Sequence, residues 1–395
     1  MLRLSALAES VKPSATLAAG AKAKEMKAAG IKVYDFTLGE PDFPTPAYIR
    51  AAAQEAMNAG HTKYTAAEGL PALRQAVAKC YLERTGLQYG MDQVLISNGA
   101  KHSLHNALST LVGPGDEVII PSPYWTSYAD LVGMTGASLK LVPTSAEQGF
   151  KLTPAQLQQA ISSKSKVLLM NSPCNPTGVT YTSEELTSLA RVVTEKKIAV
   201  ISDEIYEHLT YDDIKPTCMA TLLPEMKDCT IVISGGSKSY AMTGWRIGWA
   251  VGPRQVIQAM GNIQSQQTGC PNSISQHAAL VALTSDQKSV AEMRKEFQAR
   301  RDLIYKGLAS LPGITVLLAT GAFYAFFNIT QHLGRTLHGI KIENSADFCR
   351  AALEKVQVSV VPGSAFGAEG YVRLSFASSR EDLQGGVEQL RKLLT

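Results

Sequence analysis

The stretch GGSKSYAMTGWRIG, residues 235–248, sets one amine, Lys238, and one guanidinium, Arg246, eight positions apart, directly after the apolar run TIVIS. A lysine placed there is either a solvated surface cation or an amine held for covalent chemistry. Three other apolar runs also end on chemically interesting residues. VLIS (94–97) runs into Asn98-Gly99-Ala100-Lys101 and a helical pattern. Small residues there leave backbone N–H groups open to a phosphate, or make an ordinary strand-to-helix turn. KVLLM (166–170) runs into NSPCNPTG (171–178), whose X-Pro steps impose extended or turn geometry and present amide side chains. IAVIS (198–202) runs into Asp203, in SDEIYEH. A carboxylate at a buried strand end needs a cation or strong donor, in a structural ion pair or in a site.

Elements must bring these residues together. VLIS, EVIIP (117–121), KVLLM, IAVIS, TIVIS and IGWAVG (247–252) are short, β-branched and not alternating, as in strands buried on both faces. Helical patterns such as HSLHNALSTLV and SEELTSLARVV separate several of them, which argues for a largely parallel α/β sheet. Ligands in such sheets collect beyond the carboxyl ends of the strands, where Asn98, Asn171, Asp203 and Lys238 follow their runs. Upstream, Thr45-Pro46 predicts a helix start, with proline at the first helical position. Ile49, Ala52, Ala53, Ala56 and Met57 continue it at helical spacing, and Gly60 closes it. A second amphipathic helix runs from Leu70 to about Gly86. Beyond about residue 252 long helical patterns and short strands (AFYAFFN, VSVVPG, YVRLSF) read as α+β. The expected division is an N-terminal segment (1–45) joined to a small C-terminal domain (291–395), with a large domain (46–290) between them.

With 395 residues, 45% hydrophobic and 18% charged, the chain has the composition of a globular protein with an extensive core. A net charge of +4 without a basic block argues against nucleic acid or an anionic membrane as partner. Glu9 and Lys12 interrupt the N-terminus too early for a secretory leader, and no apolar run approaches the ~18 residues of a membrane span. Six scattered cysteines with no C-x-x-C pair read as free thiols, so the expected compartment is the cytoplasm. His102 and His105 share helical spacing but lack a third ligand, so no metal is expected. A nicotinamide oxidoreductase would need G-x-G-x-x-G after the first strand, which is absent.

An amine able to form an imine, a carboxylate for a ring nitrogen and a phosphate cradle are together what pyridoxal 5′-phosphate demands. The chain resembles the class I/II pyridoxal-phosphate aminotransferases of fold type I, and within them the bacterial-type aspartate aminotransferases. The motifs VKPSAT, LGEPDF, KYTAAEG, GAK, SPYWTSY, NSPCNPTG, SDEIYEH, SKSYAMTGWRIG, GAFYAF and YVRLSFA carry that resemblance in order along nearly the whole length. It implies a mostly parallel mixed sheet sandwiched by helices, with a smaller α+β domain formed by the N- and C-terminal parts. It also implies that Lys238 holds the cofactor as a covalent aldimine and shuttles the proton. Asp203 would partner the pyridine nitrogen, and Asn175 and Tyr206 would donate to the phenolate oxygen. Trp125 would stack on the ring. Arg246, Gly99, Ala100 and Lys101 match the phosphate side, with Ser237 or Ser234 adding a hydroxyl. Tyr64 matches a tyrosine that reaches the neighbouring subunit's cofactor, implying a homodimer with shared sites.

For substrate, Arg373 matches the arginine that grips the α-carboxylate, Gly39 a backbone contact, and Trp125 and Asn175 line the same place. Gln264–Asn272 offers no arginine for a distal carboxylate, so Lys101 is expected to take that task, unless it serves only the phosphate or solvent. Lys12 matches a lysine implicated in prephenate use. The expectation is ping-pong transamination of aspartate with 2-oxoglutarate, with prephenate as an additional acceptor. An aminotransferase of aromatic, alanine or kynurenine specificity, or a β-lyase, would keep Lys238 and Asp203. A ligand-sensing regulator would need a DNA-binding segment that does not fit before residue 45. Gly244 and Gly248 read as close-packing positions beside Arg246.

Overall fold

The computed structural model describes residues 2–11, 13 and 15–395. A two-residue strand β1 (Tyr34–Asp35) follows two N-terminal helices. Among the described residues seven strands then build the main sheet. They are β2 (Val94–Ser97), β3 (Glu117–Ser122), β4 (Ser138–Pro143), β5 (Ser165–Asn171), β6 (Ala199–Asp203), β7 (Thr230–Gly235) and β8 (Gly248–Val251). Their spatial order is β2-β8-β7-β6-β5-β3-β4, with β8 antiparallel to both neighbours and the other pairs parallel. Strands β2, β5, β6 and β7 therefore point the same way, and their carboxyl ends share one edge of the sheet. That shared edge is why residues following four separate runs meet.

The strands lack polar alternation because both faces are covered. Successive residues of β2 divide between the faces. Val94 and Ile96 join Val232, Trp249 and Val251 beneath the helices Ala47–Asn58, Pro71–Thr85 and Ser273–Thr284. Leu95 joins Ile231, Ile233 and Ala250 beneath the helices Ala100–Leu111 and Arg254–Gln267. Edge strand β4 was not among the expected runs: its SLKLVP sequence is mostly exposed and carries no apolar block. The helix expected from Thr45-Pro46 starts one residue later, at Ala47, with Pro46 as its cap. Thr45 instead bonds through Oγ1 to the Ala241 carbonyl, at 2.6 Å. The second helix ends at Gly86, whose φ of 75° is the left-handed cap that glycine adopts freely.

The C-terminal part carries β9 (Thr315–Val316), β10 (Tyr324–Asn328), a hairpin of β11 (Thr336–Leu337) and β12 (Ile340–Lys341), β13 (Val358–Ser359), β14 (Val361–Pro362) and β15 (Tyr371–Ser375). An antiparallel sheet runs β14-β15-β10-β9, and β13 pairs parallel with β1. Tyr34 opposite Val358 thus ties the N-terminal segment to the C-terminal part. Their common core is aromatic, with Phe36, Phe297, Phe323, Phe327, Phe348 and Phe376 all buried. The architecture is α/β with a mixed, mostly parallel central sheet and a smaller α+β unit. Among the described residues no helix is long and apolar enough to cross a membrane.

Candidate active site

The polar residues at the shared strand edge line a cavity of about 320 Å³, within the about 300–1,000 Å³ usual for small-molecule sites. Gly39, Ala100, Lys101, Trp125, Asn175, Asp203, Tyr206, Ser237, Lys238, Arg246 and Arg373 all contribute to its wall. Three of the expected residues are elsewhere. Gly99 stands just behind the wall, Tyr64 is 96% exposed on the surface, and Lys12 lies outside the described residues.

Asp203 closes β6 and is buried. Its Oδ2 accepts from Tyr128 Oη at 2.7 Å and its Oδ1 from the Ile205 amide at 3.2 Å. Burial pushes its pKa up to about 6, against the pull of those two donors and of Lys238. Lys238 lies in the short helix Gly236–Ser239 directly after β7, with Nζ 2.5 Å from the Gly39 carbonyl. Withdrawal from water lowers its pKa to about 8, Glu40 opposes the shift, and Arg246 and Arg373 add to it. A buried anion and a partly discharged amine thus share one small space.

Arg373, on β15, is 1% exposed. Nη1 donates to Asn175 Oδ1 at 3.0 Å and Nη2 to the Thr37 carbonyl at 2.8 Å, while Nε has no partner. The Tyr324 and Phe366 rings lie 4.6 and 4.9 Å from the guanidinium carbon. Among the described residues no carboxylate lies within ion-pair distance. Accepting from Arg373 fixes the Asn175 amide so that its NH₂ remains free to donate. Tyr206 Oη is 2.8 Å from Tyr324 Oη. Asn171 Oδ1 accepts from the backbone N–H of Asn175 at 2.8 Å, and its Nδ2 donates to the Asp203 carbonyl at 2.9 Å, locking two strand ends together.

At the other end of the cavity the helix Ala100–Leu111 begins at the wall, where Ala100 and Lys101 lie beside Arg246. Arg246 donates through Nη1 to the Thr243 carbonyl at 2.7 Å. Gly99 has φ 91°, and a Cβ there would lie 2.6 Å from Arg246 Nη2, so a side chain would fill this corner. Gly248 is equally constrained, since its Cβ would meet the Ala100 nitrogen at 2.4 Å. Gly244 is not a close-packing position: nothing lies within 4 Å of a Cβ built there. Lys101 sits on the exposed rim, Nζ 4.9 Å from the Trp125 ring centre. Desolvation and Arg246 lower its pKa, with Asp130 opposing.

Ser237 lines the cavity, whereas Ser234 points away and bonds Glu207. His102 and His105 both contact Gln267, and among the described residues no group of three metal-ligating side chains occurs. Sequence reasoning singled out neither Tyr128 nor Tyr324, and placed Asn171 at a strand end without giving it a partner. All three fall inside quoted motifs, but their pairing with Asp203, Tyr206 and Asn175 arises only on folding.

The profile of the family described as "Aminotransferase class I and II" matches residues 31–390. The aspartate aminotransferase of Geobacillus stearothermophilus is 44% identical over 393 residues, covering 100% of this chain and 99% of that one. The aspartate/prephenate aminotransferase of Nitrosomonas europaea is 42% identical over 397 residues, with 100% of both chains covered. Among solved structures, the aspartate aminotransferase of Rhizobium meliloti superimposes with a TM-score of 0.97 at 40% identity, over 100% of this chain and 99% of that one.

Proposed function

We propose that this chain, which belongs to the class I and II aminotransferases, carries the amino group of L-aspartate to 2-oxoglutarate in two half-reactions, leaving oxaloacetate and L-glutamate. One observation carries the reading: the Lys238 amine, the buried Asp203 carboxylate and the Arg373 guanidinium with spare donors line a single cavity. Family membership implies pyridoxal 5′-phosphate, and the residues present fit it. Asp203 is a buried carboxylate with no ion-pair partner among the described residues, and the Gly99–Arg246 corner is built for an anion.

When bound, that cofactor supplies an aldehyde to take up the amino group and a ring to draw electron density from the carbon that loses its proton. Lys238 Nζ would hold that aldehyde. Nζ would take and hold the proton of the substrate's α-carbon, since a pKa of about 8 in the cofactor-free chain leaves part of the amine neutral near pH 7. Asp203, held by Tyr128, keeps a proton on the ring nitrogen. Asn175 Nδ2 and Tyr206 Oη would donate to the ring's phenolate oxygen, and Trp125 would lie against the ring. Arg246, Ser237 and the amides at Gly99, Ala100 and Lys101 hold the phosphate. Arg373 and Gly39 take the α-carboxylate, and Lys101 takes the distal one.

Tyr64, exposed in one copy, reaches the phosphate in a second, so the working unit is a homodimer. The division at 45/46 and 290/291 draws support from the core that joins Phe36 to residues 293–394, a core that also takes in Ile205, Tyr206, Leu209 and Tyr211 of the large unit. Six free cysteines suit the cytoplasm. The Nitrosomonas europaea relative supports prephenate as an additional acceptor, with Lys12 contributing. The test is direct. Protein loaded with pyridoxal phosphate, reduced with borohydride and digested, carries the cofactor's mass on the Lys238 peptide. Aspartate shifts the visible absorbance and 2-oxoglutarate restores it. A band that no amino acid moves refutes the reading.

A further inference from the structure

A larger cavity of about 830 Å³ lies behind the active site and shares no lining residue with it. The turn after β6 separates the two. Asp203, Ile205 and Tyr206 face the active site, and Glu207 and His208 face the rear cavity. Arg84, near the end of the helix Pro71–Thr85, reaches the turn from behind. Its Nη1 is 2.6 Å from Glu207 Oε2 and its Nη2 3.4 Å from Glu204 Oε2. The guanidinium covers the Tyr81 ring at 4.8 Å. The two glutamate side chains are 5% and 4% exposed, so these are buried charges.

Each carboxylate uses its other oxygen on an element of the site. Glu207 Oε1 accepts from Ser234 Oγ at 2.6 Å, on the strand that leads into Lys238. Glu204 Oε1 accepts from Ser202 Oγ at 3.0 Å, next to Asp203, and from the Met219 amide at 3.3 Å. We infer that Arg84 is a positioning residue of the reaction: by clamping Glu204 and Glu207 it fixes the turn that aims Asp203 and Tyr206 and the strand end that carries Lys238. The inference rests on the pyridoxal-phosphate reading above.

Without Arg84 the two carboxylates would face each other with little to neutralise them. Burial holds Cys80, Tyr81, Tyr89, Cys218 and Tyr240 protonated and His208 neutral near pH 7. Glu83 turns outward to Lys79 at 3.6 Å, and Lys215 and Arg294, the other cations at this cavity, are exposed. Burial and Glu207 already raise the Glu204 pKa to about 7, against Arg84. Removing the guanidinium therefore leaves a turn that is sound when one carboxylate holds a proton and is driven apart when both ionise.

The experiment titrates the cofactor-free protein with pyridoxal phosphate at pH 6 and pH 8.5, followed by tryptophan emission. Arg84→Met should bind within about threefold of wild type at pH 6 and at least about tenfold more weakly at pH 8.5. Arg84→Met/Glu207→Gln, with one negative charge removed, should recover most of the loss. If Arg84→Met does not fold, Arg84→Lys carries the same test, with about a threefold loss confined to high pH. An affinity unchanged at both pH values, or a loss equal at both that Glu207→Gln does not relieve, overturns the inference. Wild-type protein that takes up no cofactor would refute the earlier reading instead.

Discussion

Arg373→Lys tests the proposed substrate contact most sharply. The guanidinium carries five N–H donors, and two are already used on Asn175 Oδ1 and the Thr37 carbonyl. Nε and one donor on each terminal nitrogen remain, in one plane and beside no carboxylate, which is the arrangement a substrate carboxylate fills from two sides. Lysine keeps the charge but cannot hold Asn175 and Thr37 while also presenting a fork. Loss of one or two charge-assisted hydrogen bonds, partly offset by the ammonium, corresponds to about 2–4 kcal/mol. That is a fall of about 30- to 700-fold in kcat/KM for aspartate. The assay is the amine half-reaction followed by absorbance, run in parallel with 3-aminopropanoate, which is aspartate without its α-carboxylate. The slow reaction of 3-aminopropanoate should change by less than about threefold, because it never used the fork. Equal losses for both amines would mean that Arg373 only supports the fold, and the reasoning would fail.

Lys101→Ala should raise KM for aspartate about tenfold or more while leaving alanine and phenylalanine within about twofold, since only aspartate presents a distal carboxylate to the rim. Equal losses for the three amino acids would remove Lys101 from specificity. Asp203→Asn should act in opposite directions with and without cofactor. The folded pKa of Asp203 is raised from 3.8 to about 6, so its ionised form destabilises the cofactor-free fold. That penalty is absent below pH 3.8 and complete above about pH 6. At about 1.36 kcal/mol per pKa unit it amounts to at most about 3 kcal/mol. Cofactor-free Asp203→Asn should therefore resist urea better than wild type at pH 8 and equally at pH 4, while binding pyridoxal phosphate more weakly. A stability difference that does not vary with pH would place its origin in packing.

What could be read from the sequence, and what could not, separates along one physical line. Lys238 and Asp203 were conspicuous because each is a polar residue set at or just beyond the end of a buried apolar run, whereas Asn175 was picked out only by the resemblance of its motif. A solvent-free strand end is expensive for such groups, so their presence calls for a reason. The parallel sheet then brings them to one edge without further information. Strand β4 escaped notice for the converse reason: at the sheet edge it does not need an apolar run. Tyr128 and Tyr324 escaped too, since a tyrosine among aromatics is ordinary in any core. Only the 2.7 Å contact with Asp203 and the 2.8 Å contact with Tyr206 give them a task. Arg84 is the extreme case. On its helix it is one more charge near a C-terminus, favourable there for the helix dipole alone. Its meaning appears when Glu204 and Glu207, two residues that looked like the polar half of SDEIYEH, prove to be 4% and 5% exposed. Groups that do chemistry announce themselves by their cost at a local position, whereas groups that aim them are identified by partners distant in sequence. Substitutions chosen from motifs alone would therefore sample the front of this site and miss the clamp behind it.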